Sequence, residues 1–308
     1  MKLKRKAIAL LITLFFIMLI TISIGIGLKQ MKMAAREVKN ESFMLQNSVI
    51  LDDVMQLLNN SKELSDINSS EDLQLVFDTV SFPIVPLGNS GIKVGINLSS
   101  ARTKFNINSI ADENATVKEA FESYLGSKMI EVEYLDMIED VIVGIRADGN
   151  YKTDIFYENK HLFKDEDNYI TSLQNLNEIN NYYKKTYNNN KIDIINFKNM
   201  FSFTKDNNYA LDVNCATQES LEILGFVQRD IYIDDEEEVI EDENFCSSVL
   251  CDSLTEIQRE ELAGYRATCT PQMYIDVVLD IMSDESSATI KFEYNLVTKK
   301  GSSFVYEI

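Results

Sequence analysis

Histidine is almost absent from this 308-residue sequence, since His161 is the only one. No nucleophile stands near His161 in the sequence, so we interpret it as a surface residue rather than a catalytic one. The sequence also lacks a phosphate-cradling glycine pattern, a G-x-S-x-G motif and an H-E-x-x-H motif. These absences predict a protein that is not an enzyme and requires no cofactor. An active site assembled from distant carboxylates is the alternative that they leave open.

Basic residues are scarce in most of the chain. Residues 1–40 hold 8 of the 29 basic residues and 1 of the 49 acidic ones, which leaves a formal charge of −27 for the rest. A body so acidic repels nucleic acid and anionic lipid surfaces. We therefore exclude nucleic acid as a partner.

Only one long uncharged run occurs, from Ala7 to Leu28. As a helix its 22 residues would cross the hydrocarbon layer of about 30 Å once. Four basic residues precede it, which predicts a cytoplasmic N-terminus. The chain is therefore expected to be a single-pass protein of a bacterial inner membrane, with its globular part in the periplasm. The alternative is a secretory signal that is cut off after a poor small-residue site at Ser23–Gly25.

Proline is missing between Ala7 and about Asn60, and the last glycine there is Gly27. Beyond the expected membrane span the apolar residues keep a helical spacing. Met44, Leu51 and Leu58 lie seven apart, with Ile50, Val54 and Leu57 between them. This predicts one long helix over residues 8–60, whose outer half packs on a globular domain. The alternative is a break at Gly25 and Gly27 between two separate helices.

The remaining sequence alternates between β and α patterns. Short strands are predicted at Lys93–Leu98 and Lys104–Ile107, and apolar spacings of three and four predict helices from Thr116 to about Phe203. The C-terminal segment is predicted to form β-strands. Its stretch "ATIKFEYNL" alternates strictly between apolar and polar residues and has strand-like neighbours on both sides. The sequence thus predicts an α+β fold, with the long N-terminal helix packed on an antiparallel sheet.

Two local cap patterns are predicted in the last third of the chain. Thr217 is expected to cap a short helix that ends at Gly225. Ser253 and Glu256 have the spacing of a capping box, with Gly264 closing the helix that follows.

All four cysteines lie in the last third of the sequence: Cys215, Cys246, Cys251 and Cys269. An even number in an oxidising compartment predicts two disulfides, with three connectivities open. Buried free thiols are the alternative, above all for Cys215 in its apolar surroundings. The sequence disfavours a zinc site, because no C-x-x-C pair and no neighbouring histidine are present.

A dense acidic run, Asp234–Glu243, holds eight carboxylates in ten positions. Their mutual repulsion could be relieved by a calcium ion bound through oxygen ligands, for which we name Asp234, Asp235, Glu236, Glu241 and Asp242. A solvated acidic loop is the alternative that such charge blocks favour. "DGNYKTD" (Asp148–Asp154) is superficially similar to a calcium loop, but it lacks the glycine and the distal glutamate in register.

The opening "KRKAIALLITLFF" resembles the prepilin leader of type IV pilins and pseudopilins. The resemblance implies that residues 1–7 are a leader, that prepilin peptidase cuts between Ala7 and Ile8, and that the new N-terminus is methylated. Ala7 stands where that family usually has glycine. Ile12 occupies the position at which most pilins carry a glutamate that pairs with the subunit above. The resemblance implies that a chain without this glutamate is a subunit at the tip.

Further stretches are similar to one family, minor pseudopilin K of the type II secretion system (general secretion pathway protein K). They are "TKFNINSI" ahead of the helical block, "LDVNCATQESLEIL" after it and the closing "SATIKFEYNL". In the second stretch the matching residues are Asn214, Ala216, Leu221 and Leu224, while Cys215 replaces a threonine. The family's acidic segment is largely missing here, so its calcium sites are not carried over.

The resemblance implies a domain order. Residues 8–60 form the long helix, of which 8–28 lie in the membrane; 61–111 and 204–308 form a pilin-like α/β domain; and 112–203 form an α-helical insertion. It also implies a non-catalytic subunit that starts and caps a pseudopilus during protein export across the outer membrane. The implied partners are minor pseudopilins I and J, other pseudopilins and the inner-membrane secretion machinery. A minor pilin of a type IV pilus and a permanently anchored periplasmic acidic or calcium-binding protein are the alternatives.

Overall fold

One helix of 59 residues, α1 (Lys2–Asn60), forms the N-terminal part of the fold. The structure, a computed structural model, describes residues 2–88, 91–111, 115–164, 168–206, 208–226, 246–283 and 286–307. Within α1 it describes the side chains from Ile24 onward, apart from positions 27, 35, 36 and 40. The helix runs through Gly25 and Gly27 without interruption, so the expected alternative of a break there is wrong. At 1.5 Å per residue, α1 is about 88 Å long.

The described part of the chain contains ten further helices and nine strands. The helices are α2 (Lys62–Ser65), α3 (Ser70–Val80), α4 (Ala115–Ser127), α5 (Glu133–Val143), α6 (Ile155–Glu158), α7 (Leu173–Tyr187), α8 (Phe197–Met200), α9 (Gln218–Ile223), α10 (Val249–Ser253) and α11 (Glu256–Leu262). The strands are β1 (Phe82–Pro86), β2 (Lys93–Ser100), β3 (Phe105–Asn106), β4 (Phe201–Ser202), β5 (Leu211–Asp212), β6 (Ala267–Thr268), β7 (Tyr274–Met282), β8 (Ser287–Asn295) and β9 (Lys300–Glu307).

Five strands form an antiparallel sheet in the order β1-β2-β7-β8-β9. In β8 the apolar residues Ile290, Phe292 and Tyr294 are buried, and the intervening polar residues are not. This is the alternation that the sequence predicts, because one face of the sheet packs in a core while the other faces outward. The predicted fold class, a long N-terminal helix on an antiparallel sheet, is confirmed.

The outer half of α1 packs on the buried face of this sheet. Its buried apolar residues are Phe43, Ile50, Val54 and Leu58, which share a core with α3, β2, β7 and β8. In addition to these apolar contacts, the Tyr294 hydroxyl donates a hydrogen bond of 2.8 Å to Asn59 Oδ1 of α1. The helical spacing in the sequence therefore predicts the packing correctly, but not every residue of the packing face.

The prediction that apolar residues of this spacing are buried is wrong at two positions of α1. Met44 is 50% exposed and Leu57 is 66% exposed, although both fit the apolar spacing. The reason is geometric: the stripe that contains Phe43 and Ile50 is the one turned to the sheet, and its neighbours in sequence point about 100° away.

Each edge of the sheet has a feature that interferes with further strand pairing. On one edge, β1 contains Pro83 and Pro86, which have no N–H group to donate. On the other edge, the register of β9 shifts opposite Phe292, where Ser303 takes a φ of 56°. Such a bulge bends the strand and leaves one residue unpaired.

Helices α4 to α8 lie between β3 and β4, which pair in parallel. They form a second apolar core in which Tyr134 and Tyr183 are fully buried, with ring centroids 5.3 Å apart. The predicted run of helices from Thr116 to Phe203 is confirmed. The division of the chain into domains at residues 112 and 203 stays a prediction.

The predicted caps have different outcomes. Thr217 caps α9 by accepting a hydrogen bond from the Ser220 N–H, and Gly225 has a φ of 80°, as expected. The expected capping box of Ser253 and Glu256 is wrong, because Ser253 still belongs to α10. The box is formed two residues later by Thr255 and Gln258.

Another expectation is only partly correct. The strand predicted at Lys104–Ile107 is limited to the two residues of β3, because a 3₁₀ turn begins at Ile107. Asn106 starts this turn, since its side-chain oxygen accepts the Asn108 N–H at 3.2 Å.

Candidate functional site

The first candidate site is the projecting part of α1, residues 2–42, which we call the stem. Every stem side chain that is described, from Ile24 to Ser42, is exposed, and Phe43 is the first buried one. At the helical rise, the stem is roughly 60 Å long. It therefore extends well beyond the domain on which the outer half of α1 packs.

The stem exposes apolar side chains in unusual number. Ile24, Leu28, Met31 and Val38 are each more than half exposed. A cluster of large apolar side chains on a water-exposed helix is typical of a surface that contacts another apolar surface. The geometry of the stem thus fits association with other helices.

The predicted processing site lies at the start of α1. Ala7, Ile8 and Ile12 belong to its helical backbone, and their side chains lie outside the described residues. The leader and its cleavage therefore stay predictions, as does the span expected over residues 8–28. In the part of the chain whose side chains are described, no helix is both long enough and apolar enough to cross a membrane.

The four cysteines form two pairs in the structure. Cys215 is joined to Cys246, with Cα atoms 4.2 Å apart, and Cys251 is joined to Cys269, with Cα atoms 5.6 Å apart. The first pair lies in the sheet core, while Cys251 lies in the core of the helical block. This is one of the three connectivities that the sequence leaves open.

The segment after Cys246 is held against α3. The Cys246 N–H donates to Gln74 Oε1 at 2.8 Å, and the Ser248 N–H donates to Glu71 Oε1 at 3.1 Å. Hydrogen bonds from Ser248 hold the pKa of Glu71 below its usual value. The disulfide and these bonds together fix Cys246 and Ser248 against α3 and the sheet core.

The acidic run Asp234–Glu243 lies outside the described residues. Its calcium candidates, Asp234, Asp235, Glu236, Glu241 and Asp242, lie outside the described residues. Among the residues that are described, no group of three or more histidine, cysteine or acidic side chains could hold a metal ion. Calcium binding by the run stays a prediction.

The loop that is superficially similar to a calcium site is held by protein groups. Asp140 of α5 is fully buried and accepts the N–H groups of Lys152 and Thr153 at 3.1 and 2.8 Å. The Arg146 guanidinium lies 3.4 Å from the same carboxylate. Asp148 instead accepts the N–H of Asn150 at 3.1 Å, and this bond is the main cause that lowers its pKa. A buried carboxylate on the neighbouring helix thus organises this loop.

His161 lies on the surface, as the sequence predicts. Its side chain is 62% exposed and is in contact with Glu178 of α7 through Nε2. The contact is an exposed hydrogen bond between two surface side chains.

A buried cation joins the sheet to the segment that returns from the helical block. Arg102, directly after β2, is 1% exposed, and its Nη2 lies 3.1 Å from both Asp206 and Glu293. Its guanidinium lies between two aromatic rings, 4.2 Å from the centroid of Tyr209 and 3.9 Å from that of Tyr274. We call these five residues the Arg102 junction.

The sheet side of the junction carries excess negative charge. Asp276 of β7 and Glu293 of β8 are directly opposed across the two strands. Burial raises the pKa of the Glu293 carboxyl, against the opposing effect of Arg102. The Asp276 residue is exposed, but its carboxyl is crowded by neighbouring atoms. Desolvation by these atoms and then the charge of Glu293 raise its pKa to about 7, against the opposing effects of Lys104 and Arg102. Like charges opposed across strands destabilise a sheet, so Arg102 offsets a local repulsion.

No model of a known protein family matches the chain, and no curated protein matches its sequence. Among solved structures, it is similar to a chain in the crystal structure of the GspK–GspI–GspJ complex from the type 2 secretion system of enterotoxigenic Escherichia coli. The two are 13% identical, with a TM-score of 0.49 over 88% of this chain and 99% of that one. A similarity this distant transfers no function to this chain.

Arg102 and Asp140 are the residues of these sites that the sequence does not predict. Both are charged residues that the fold buries completely, and a buried charge requires partners that are distant in sequence. Glu293 lies 191 positions from Arg102. The one available signal was the strict pattern of β8, which places Glu293 on the outer face of the sheet.

Proposed function

We propose that the chain is a minor pseudopilin at the tip of a type II secretion pseudopilus, where it starts assembly and limits growth. The observation that supports this role best is the stem, a continuous helix that projects from the sheet-containing part of the fold, which we call the head. Its described side chains, from Ile24 onward, include exposed apolar ones. A fibre built from such subunits buries these side chains between neighbouring helices.

Removal of the leader is the step that releases the stem from the membrane. The first seven residues carry four positive charges, which anchor the N-terminus on the cytoplasmic side. Cleavage between Ala7 and Ile8 removes all four and leaves an uncharged helix end. The helix can then move outward along the membrane normal into a fibre.

The tip position follows from Ile12. A glutamate at this place in an apolar helix bundle is costly unless a neighbouring subunit neutralises it. An apolar residue costs nothing there, and it suits a subunit with no neighbour above. The helices α4 to α8 enlarge the head and would obstruct a further subunit on top.

The expected partners follow from this role. Minor pseudopilins I and J would pack their stems beside α1, prepilin peptidase would process the leader, and the inner-membrane secretion machinery would drive assembly. Isolation of a complex with minor pseudopilins I and J after coexpression supports the tip position. Incorporation along the whole length of a fibre contradicts it.

Terminal analysis tests the role directly. The intact chain is coexpressed with prepilin peptidase, and its mass and N-terminal sequence are measured. We expect a chain that begins at a methylated Ile8, and an Ala7→Leu variant that keeps its leader because a bulky residue blocks the cut. Ala9→Leu is the matched control, since it makes the same change two residues away, and it should be processed. A wild-type chain that begins at Met1 contradicts the proposal and favours a permanently anchored protein.

A further inference from the structure

Helix α1 carries a second apolar stripe, which does not pack on the sheet. Its described members are Ile24, Leu28, Met31, Val38, Leu45 and Val49, all at least 57% exposed. With Ala35 and Ser42 at the positions between, the spacing is strictly four and three over eight positions. We call this stripe the outer seam.

The outer seam is separate from the face of α1 that packs on the sheet. At 100° per residue, its mean direction lies roughly 130° around the helix axis from the stripe of Phe43, Ile50, Val54 and Leu58. The next positions of the seam are Asp52 and Gln56, which are polar and exposed. The seam therefore ends at Val49 and is about 37 Å long.

A strict repeat of fours and threes is the pattern of a coiled coil. It averages 3.5 residues per turn, so it faces a single partner helix along its whole length only if the two helices supercoil. Sustained over more than three heptads, this pattern indicates a coiled-coil seam rather than the general amphipathicity of a surface helix.

Charge beside the seam indicates which partner fits. Leu28 and Ala35 occupy a positions of the heptad, and Met31 and Val38 occupy d positions. Lys32 and Lys39 then occupy e positions, and both are exposed. In a parallel coiled coil these face the g positions of the partner five residues earlier. A second copy of this chain would present Gly27 and Ala34 there, and so no carboxylate.

We propose that the outer seam binds one parallel helix of a different chain, whose apolar a and d positions are flanked by acidic residues opposite Lys32 and Lys39. The parallel orientation rests on the proposed function, because subunits that leave the same membrane run in the same direction. The proposed function requires stems to associate, whereas the seam specifies which side of α1 is used and the charge of its partner.

The experiment uses the full chain in lipid nanodiscs and three synthetic peptides of residues 22–49. One peptide is unmodified, one carries Gly27→Glu and Ala34→Glu, and one carries Gly27→Lys and Ala34→Lys. Binding is measured by fluorescence anisotropy. We expect the Glu peptide to bind roughly tenfold more tightly than the Lys peptide at low salt, with the difference shrinking as salt is added. The unmodified peptide should bind with intermediate affinity.

Variants of the chain test the seam and its flank separately. Met31→Glu on the seam should weaken binding of the Glu peptide severalfold. Met33→Glu, its matched control, is a similarly exposed methionine off the seam and should have little effect. The double variant Lys32→Glu and Lys39→Glu should reverse the preference between the Glu and Lys peptides.

Three results would overturn the inference. They are equal loss of peptide affinity in Met31→Glu and Met33→Glu, equal affinity of the three peptides for the wild-type chain, and tightest binding by the unmodified peptide. None of these depends on leader processing. A chain that is never cut but shows the expected order of peptides would contradict the proposed function and leave the outer seam in place.

Discussion

Removal of the Cys215–Cys246 disulfide should lower the stability of the chain by several kcal/mol. Both sulfurs are buried in the sheet core, and the pair is separated by 31 positions in sequence. The variant replaces both cysteines with alanine, so that no single thiol remains. The loss is expected because the cross-link restricts the unfolded chain more than the folded one.

The loop size sets the magnitude. With 31 residues in the loop, the chain-entropy relation gives about 3.7 kcal/mol at 25 °C. The Cys251–Cys269 pair spans 18 positions and provides the matched comparison, for which the same relation gives about 3.2 kcal/mol. Replacing both members of either pair should therefore cost similar amounts, with the larger loop costing slightly more.

Equilibrium unfolding in urea, followed by far-ultraviolet circular dichroism, measures both losses. The full chain and the two double variants are compared in the same detergent, after mass spectrometry has established the disulfides of the wild type. If either double variant loses less than about 1 kcal/mol, the loop-closure reasoning is refuted for that pair. If the wild type contains free thiols at Cys215 and Cys246, the pairing itself is wrong.

Two further predictions concern the Arg102 junction. Arg102→Met should lower the free energy of unfolding by about 3–5 kcal/mol, because it leaves the Glu293 carboxylate without its cation. The control Arg259→Met removes an exposed ion pair with an N–O distance of 3.9 Å and should change the free energy of unfolding by less than about 0.5 kcal/mol. Equal losses for the two variants in urea titration would contradict the role of Arg102. Asp276 has a folded-state pKa raised from 3.8 to about 7, so the folded state holds this proton more tightly and wild-type stability falls as pH rises through that range. Asp276→Asn removes this pH dependence, so the free energy of unfolding of the variant should rise relative to that of the wild type between pH 5 and pH 8. If the difference between the two proteins stays constant over this range, the pKa of Asp276 is not raised.

Local patterns account for the parts of the fold that the sequence predicts. In β8 a strict alternation specifies both the strand and its buried face, because only one face of the sheet packs in a core. At α9, Thr217 and Gly225 mark the two ends of the helix through bonds between residues close in sequence. These features need no information from distant parts of the chain.

The errors occur where two local solutions compete or where distant residues decide. Ser253 and Thr255 both have capping-box spacing, and the turn of α10 just before them decides in favour of Thr255. On α1, two apolar stripes share the same helix, and only the position of the sheet determines that Phe43 is buried and Met44 exposed. The Arg102 junction requires contacts across more than a hundred positions, which no local pattern encodes.

The two sheet edges limit how this head can associate with others. Prolines in β1 and the bulge at Ser303 in β9 leave neither border with a regular row of unpaired backbone groups. A strand from another chain would therefore find no regular template for pairing at either edge. In the fibre that we propose, neighbouring copies of this domain can contact each other without extending their sheets into one another, and recognition depends on side chains.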